Sequence, residues 1–252
     1  MGPRQYKNLS FETKDEIATI ILNRPEKRNA LSPDLLRELS QCLDAASTDG
    51  DVAALIITGG ENIFSAGMDV SEMVKLQPDE VHSFWTEGYN LTYEKICNFR
   101  VPAIAATAGY TLAGGFDMAI SCDFRVASET AKFGQLEVNV GLTPGIERLW
   151  RLVGLSRAKY LGLTGEIIDV NEAYRIGLVD KIVKSNELLK EARAFASKFT
   201  SKPRKALESA KQSYRVVMDM DHRAAIDWET LLLTRLLDSA EAREIMQRFV
   251  KK

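Results

Sequence analysis

The sequence predicts an α/β layered domain with a helical C-terminal segment, and three features lead there. Continuous apolar runs stopped by glycine or proline read as strands buried on both faces. Between them, apolar residues recur at helical spacing, so strands and helices alternate. From Glu187 onward the chain holds no glycine and a single proline, Pro203, while helical periodicity persists.

The elements follow in order. Ile17–Leu22 is an apolar strand closed by Asn23-Arg24-Pro25. Ser32 caps the next helix, Pro33 suits its first turn, and Leu35, Leu36, Leu39, Cys42, Leu43 and Ala46 line one face. Residues 52–58 form a second strand, stopped by Gly59-Gly60. Asp69 and Glu72 then have the spacing of a capping box, which predicts a helix starting at residues 69–70. Pro78 with Asp79 and Glu80 marks another helix start. A third strand spans residues 103–108, a helix residues 115–122, and a short strand residues 124–127. We expect residues 1–190 to form the core and residues 191–252 a helical oligomerisation segment. Trp228, Leu231, Leu232 and Leu236 give that segment more apolar face than a lone surface helix needs.

Composition narrows the function. A chain of 252 residues can bury a full apolar core without staples. Its 33 basic and 35 acidic residues leave a net charge of −2, so nothing points to nucleic acid or an anionic membrane. Three cysteines, Cys42, Cys97 and Cys122, are widely spaced and exclude a disulfide framework or a cysteine-rich metal site. Residues 1–7 carry no apolar leader, and Gly2 lacks a myristoylation context. No apolar run reaches membrane-spanning length, so the expected location is cytoplasmic.

Histidine chemistry is scarce. Only His82 and His222 are present, too far apart for a two-histidine zinc motif, and both read as surface residues. There is no GxSxG elbow. Gly109 to Gly114 begins like a phosphate loop, but the Lys and the Ser or Thr that must follow the second glycine are absent. Two segments remain. Between Ile63 and Glu72 small residues leave backbone N–H groups near Met68 facing a cleft, or simply join a strand to a capped helix. At Gly114-Gly115 a strand runs into a helix whose first N–H groups favour an anion or a developing oxyanion. Asp117 lies in that first turn, and Glu137 near a later one. Phe84, Trp85 and Tyr89 suit either an acyl-site wall or plain core.

Together these segments resemble the crotonase superfamily, the enoyl-CoA hydratase/isomerase family. The resemblance rests on Asn23-Arg24-Pro25 with Asn29-Ala30-Leu31, Phe64 to Asp69, Gly109-Tyr110, Ala113 to Ala119 and Cys122-Asp123. It continues through Lys132 to Glu137, Gly141-Leu142, Arg148-Leu149, Thr164-Gly165 and Gly177-Leu178-Val179. The resemblance implies a spiral of ββα units with C-terminal helices that make trimers, often paired into hexamers. It implies an acyl-CoA substrate, with no cofactor or metal beyond the coenzyme A that the substrate carries. The backbone N–H groups of Met68 and Gly114 are then the oxyanion hole, Asp117 and Glu137 the acid–base pair, and Arg28, Ala66, Asp69 and Val70 contacts to coenzyme A.

Two departures bear on the reaction. Asp117 stands where hydratases of this family carry a glutamate, one methylene longer. After Pro144 the usual glycine-rich stretch is cut to Gly145-Ile146-Glu147. The leading reading is hydration of an α,β-unsaturated acyl-CoA. The alternatives are a double-bond isomerase using Glu137 alone, another crotonase-type reaction on a bulky or cyclic acyl-CoA, and a silent acyl-CoA-binding subunit.

Overall fold

A computed structural model describes residues 6–250; the leader and myristoylation readings on residues 1–5 lie outside them. The chain opens with β1 (Leu9–Lys14) and β2 (Ile17–Leu22), an antiparallel hairpin. Asp15 and Glu16 turn it at φ 52° and 61°, the positive values that a two-residue hairpin turn requires. β1 is not legible as an apolar run because most of it faces solvent. Next come α1 (Pro33–Thr48), with Leu35 N–H donating to Ser32 Oγ at 3.2 Å as the cap predicts, and β3 (Ala54–Thr58).

Two short helices follow, α2 (Val70–Met73) and α3 (Pro78–Ser83). α3 runs through a π-helical stretch, Phe84–Asn90, into α4 (Leu91–Cys97). After β4 (Ala103–Thr107) and β5 (Tyr110–Leu112) comes α5 (Gly114–Ser121), then β6 (Phe124–Ser128) and β7 (Lys132–Gly134). The chain continues with α6 (Ile146–Val153), α7 (Leu155–Thr164), β8 (Ile168–Asp169), α8 (Val170–Arg175) and β9 (Lys181–Val183). It closes with α9 (Leu188–Thr200), α10 (Arg204–Val216), α11 (His222–Leu237) and α12 (Ala240–Val250).

The main sheet has the order β1-β2-β3-β4-β6-β9, parallel except for the β1–β2 pair. A smaller sheet pairs β5, β7 and β8. The strand period of two sorts side chains onto opposite faces. Ile20, Leu55, Ile57, Ala103 and Ala105 meet α1, α4 and α5 on one face. Ile17, Ile56, Ile104 and Ala106 meet Leu188, Ala192 and Ala196 of α9 on the other. α9 therefore lies across the boundary expected at residue 190 and packs on the sheet.

α5 is a wedge between two cores. Met118 and Ala119 face the first cluster, while Phe116 and Ile120 pack with Phe133, Leu149 and Leu161. Every residue of α5 is buried, so nothing on it can drift. α10 is tied to the sheet by Lys211, which donates to Val101 O (3.0 Å) and pairs with Asp123 (2.6 Å). By contrast, Leu231, Leu233 and Leu237 of α11 and Met246 of α12 are exposed. Among the described residues no helix is long and apolar enough to cross a membrane.

Candidate active site

The segments 28–31 and 66–69 run side by side. Ala66 N–H donates to Arg28 O (3.0 Å), Leu31 N–H to Gly67 O (2.8 Å) and Asp69 N–H to Leu31 O (3.1 Å). Asn29 locks this arrangement from below, donating its side-chain amide to Ile63 O and Phe64 O, both at 3.1 Å. Its carbonyl accepts from Ser65 Oγ (2.8 Å), which in turn accepts from Gly67 N–H (3.2 Å). Between these anchored neighbours, Met68 N–H has no acceptor among the described residues.

Gly114 N–H is likewise without an acceptor among them, as the first helical residue's N–H normally is. The two donors are brought together by glycine. A Cβ on Gly67 would lie 3.4 Å from Gly114 N and only 2.8 Å from Ala113 Cβ, at φ 98°. Ala113 itself holds φ 47° and ψ −125°, an uncommon backbone state for a residue with a Cβ. That twist aims the start of α5 back toward Met68.

Asp117 sits one turn beyond Gly114 and is only 4% exposed. Tyr89 Oη donates to its Oδ2 at 2.8 Å, and Gln135 Nε2 to its Oδ1 at 3.3 Å. Gln135 also donates to Gly145 O (2.8 Å), drawing the loop after Pro144 onto the carboxylate. That loop fits only as glycine, since a Cβ on Gly145 would stand 2.6 Å from Asp117 Oδ2. Burial pushes the Asp117 carboxyl up to about 6 against the pull of Tyr89, Gln135 and the Arg148 charge.

Glu137 begins a short 3₁₀ turn after β7 and is half-buried. Burial, then the charge of Asp117, push its carboxyl up to about 7, so the two groups sense each other directly. Its Oε2 is buried without a hydrogen-bond partner among the described residues. Asp117, Glu137, Met68 and Gly114 therefore converge.

The other expected contacts form one rim beside Met68. The Arg28 side chain is exposed, Ala66 half-buried and Val70 exposed. Asp69 differs from expectation. α2 does start at Val70, but the Asp69 side chain makes no cap bond. Its carboxylate instead accepts from Ser71 Oγ (2.6 Å) and pairs with Arg24 (3.1 Å), and these hold its carboxyl below the ordinary range despite burial. The half-buried Arg24 guanidinium is a stronger partner for that carboxylate than a backbone N–H.

Several residues of the site carry no obvious signal in the sequence. Tyr93 Oη donates to Gly114 O (2.7 Å), and its ring lies 4.2 Å from that of Tyr89. The four-residue spacing of these tyrosines was the available hint. Arg148 pairs with Glu94 (2.8 Å) and lowers Asp117 from a distance. A cavity of about 1090 Å³ opens at the other end of α5, beside Ser121, Cys122 and Lys211, and none of the four converging residues lines it. Among the described residues no cluster could hold a metal ion.

The enoyl-CoA hydratase/isomerase family model matches residues 12–252. The chain belongs to that family. A short-chain-enoyl-CoA hydratase of Clostridium acetobutylicum is 36% identical, over 98% of this chain and 96% of its own. A crotonyl-CoA hydratase of Syntrophomonas wolfei is 38% identical with the same coverage. The crystal structure of an enoyl-CoA hydratase from Bacillus anthracis superposes with TM-score 0.90 at 30% identity, covering 97% of this chain and 96% of that one. The layered sheet and its ββα units are thus the crotonase fold expected from the sequence.

Proposed function

We propose that this crotonase-family chain is an acyl-CoA lyase of the enoyl-CoA hydratase type, adding water across the α,β-double bond of an enoyl-CoA. The juxtaposition of two proton-hungry carboxyls with a pair of unengaged backbone N–H groups carries the reading. Met68 and Gly114 N–H groups receive the thioester oxygen as it becomes an enolate, each contributing about 2.7–4 kcal/mol. Near neutral pH Asp117, at about 6, is mostly ionised and serves as base, while Glu137, at about 7, retains enough proton to serve as acid at the α-carbon.

The hydratase names of the two relatives support the same chemistry. Arg28, Ala66 and Val70 offer exposed or half-exposed surface to coenzyme A, and Asp69 contributes by pinning Arg24 beneath them. No cofactor beyond the coenzyme A of the substrate enters the scheme. We also assign the exposed leucines of α11 and Met246 of α12 to contacts with a second copy, in a trimer or a pair of trimers. We also propose a cytoplasmic setting, which the free thiols of Cys42, Cys97 and Cys122 suit.

One observation favours a second reading. Both Asp117 oxygens are engaged, whereas Glu137 Oε2 is not, which suits an isomerase that shuttles a proton with Glu137 alone. Loss of the enoyl absorbance of crotonyl-CoA tests the first reading, with vinylacetyl-CoA run in parallel. Hydration of crotonyl-CoA is the expected result. Conversion of vinylacetyl-CoA to the conjugated thioester without later loss would replace it with the isomerase.

A further inference from the structure

Asp117 has a short reach, and the structure shows what lies beyond it. Its carboxylate is walled by Gly145, whose hypothetical Cβ would stand 2.6 Å from Oδ2 and 3.2 Å from Oδ1. Gln135 occupies Oδ1, and Oδ2 accepts the Tyr89 hydroxyl. That hydroxyl does not point away from the site. A Cβ on Gly114 would meet Tyr89 Oη and Cε2, both at 3.2 Å, so the phenol borders the residue whose N–H serves the oxyanion.

The phenol is held there firmly. Its ring meets Trp85 edge-on (4.7 Å) and Tyr93 at a tilt (4.2 Å). The π-helical stretch ending at Asn90 puts Trp85 and Tyr89 on the same side. While donating to Asp117, Tyr89 Oη retains lone pairs and can accept from a water or a β-hydroxyl.

We propose that Tyr89 is a catalytic residue of this site: its hydroxyl, not the Asp117 carboxylate, touches the reacting water, and Asp117 works through it as a positioning base. The proposal rests on the hydratase reading. In the addition step the water oxygen bonds to the β-carbon, and the water proton passes to Tyr89 Oη as the phenolic proton passes to Asp117 Oδ2. The electron pair of the double bond moves to the thioester oxygen at Met68 and Gly114. Glu137 then protonates the α-carbon, and exchange with solvent returns the proton from Asp117 to Glu137. The Asp–Tyr pair thus spans what a single longer glutamate spans in relatives, and burial keeps the phenol neutral at working pH.

Three variants and one binding comparison test this. Tyr89→Phe should lower kcat for crotonyl-CoA by about a hundredfold, in the range of a lost acid–base partner, with KM little changed. Asp117→Glu alone should be poor, because the longer carboxylate meets the Tyr89 hydroxyl. The double variant Tyr89→Phe/Asp117→Glu should recover at least about tenfold over Tyr89→Phe, since it restores a direct carboxylate and vacates its space. Calorimetry needs no turnover. Wild type should bind β-hydroxybutyryl-CoA about tenfold more tightly than butyryl-CoA, one hydrogen bond's worth, and Tyr89→Phe should erase that preference. Tyr89→Phe activity within threefold of wild type, no hydroxyl preference in wild type, or a double variant no better than Tyr89→Phe would each overturn the proposal. Wild type that prefers the β-hydroxy thioester yet fails to hydrate crotonyl-CoA would instead sink the hydratase reading and leave the Tyr89 contact standing.

Discussion

The two carboxyls of the site differ in how they are held. Asp117 stands on a helix buried on every side, with a hydrogen bond on each oxygen and a glycine pressed against it. Glu137 stands on a short turn after β7, half-exposed, with one oxygen free of partners among the described residues. Burial raises both; side-chain donors and the Arg148 charge pull Asp117 back down, whereas only a backbone N–H opposes the rise at Glu137. The lesson is that one physical cause can set two neighbouring titrations while fixation decides their roles. In the reaction proposed here the sealed carboxylate relays and the loose one approaches substrate.

The sharpest way to break this contrast is at Glu137. Glu137→Gln should reduce hydration by about a hundred- to ten-thousandfold while acyl-CoA affinity stays within a few fold. Steady-state kinetics with a parallel binding isotherm would check it, and a mild effect would mean Glu137 is not the approaching group. Next in size is Gly145→Ala, which drives a methyl into Asp117 Oδ2 from an exposed loop. A shift of that kind should lower kcat by about tenfold to a hundredfold with little change in melting temperature. An unaltered kcat would show that Asp117 has more freedom than its packing indicates.

pH sharpens the comparison further. If Asp117 must be ionised and Glu137 protonated, kcat/KM rises as pH climbs through about 6 and falls as it passes about 7. The two limbs belong to the coupled pair. Asp117→Asn should flatten the acid limb, and a wide plateau in wild type would contradict the assignment. The smallest effect is on stability. Asp117 binds its proton more tightly folded than unfolded, so its contribution is favourable at low pH. That contribution is lost as pH rises from the ordinary 3.8 through about 6. Above that range the buried charge costs on the order of 3 kcal/mol. Asp117→Asn should therefore melt several degrees higher than wild type at pH ~8 and no higher at pH ~4. Scanning calorimetry at both pH values decides it.

Much of the frame was legible in the sequence. The apolar runs at Ile17–Leu22 and around residues 54–57 and 103–107, and the capped helix after Ser32, needed only local patterning. The short strands Tyr110–Leu112, Lys132–Gly134 and Lys181–Val183 were not legible, because segments that brief pair through partners far along the chain. Asp69 shows the same limit. Its spacing to Glu72 satisfies a local rule, but Arg24 arrives from a distant loop and takes the carboxylate.

By itself the sequence determined the alternation of strands and helices, written in residue spacing, and the family, carried by motifs in order along the chain, whose resemblance also marked Asp117 and Glu137 as candidate carboxyls. Only the tertiary structure decided that Tyr89 donates to Asp117, that Gly145 closes over it, and that Gly67 brings the Met68 and Gly114 N–H groups together. Those contacts join segments that no periodicity links. They arise because α5 is clamped between two cores and must take whatever neighbours the folded layers bring to its first turn.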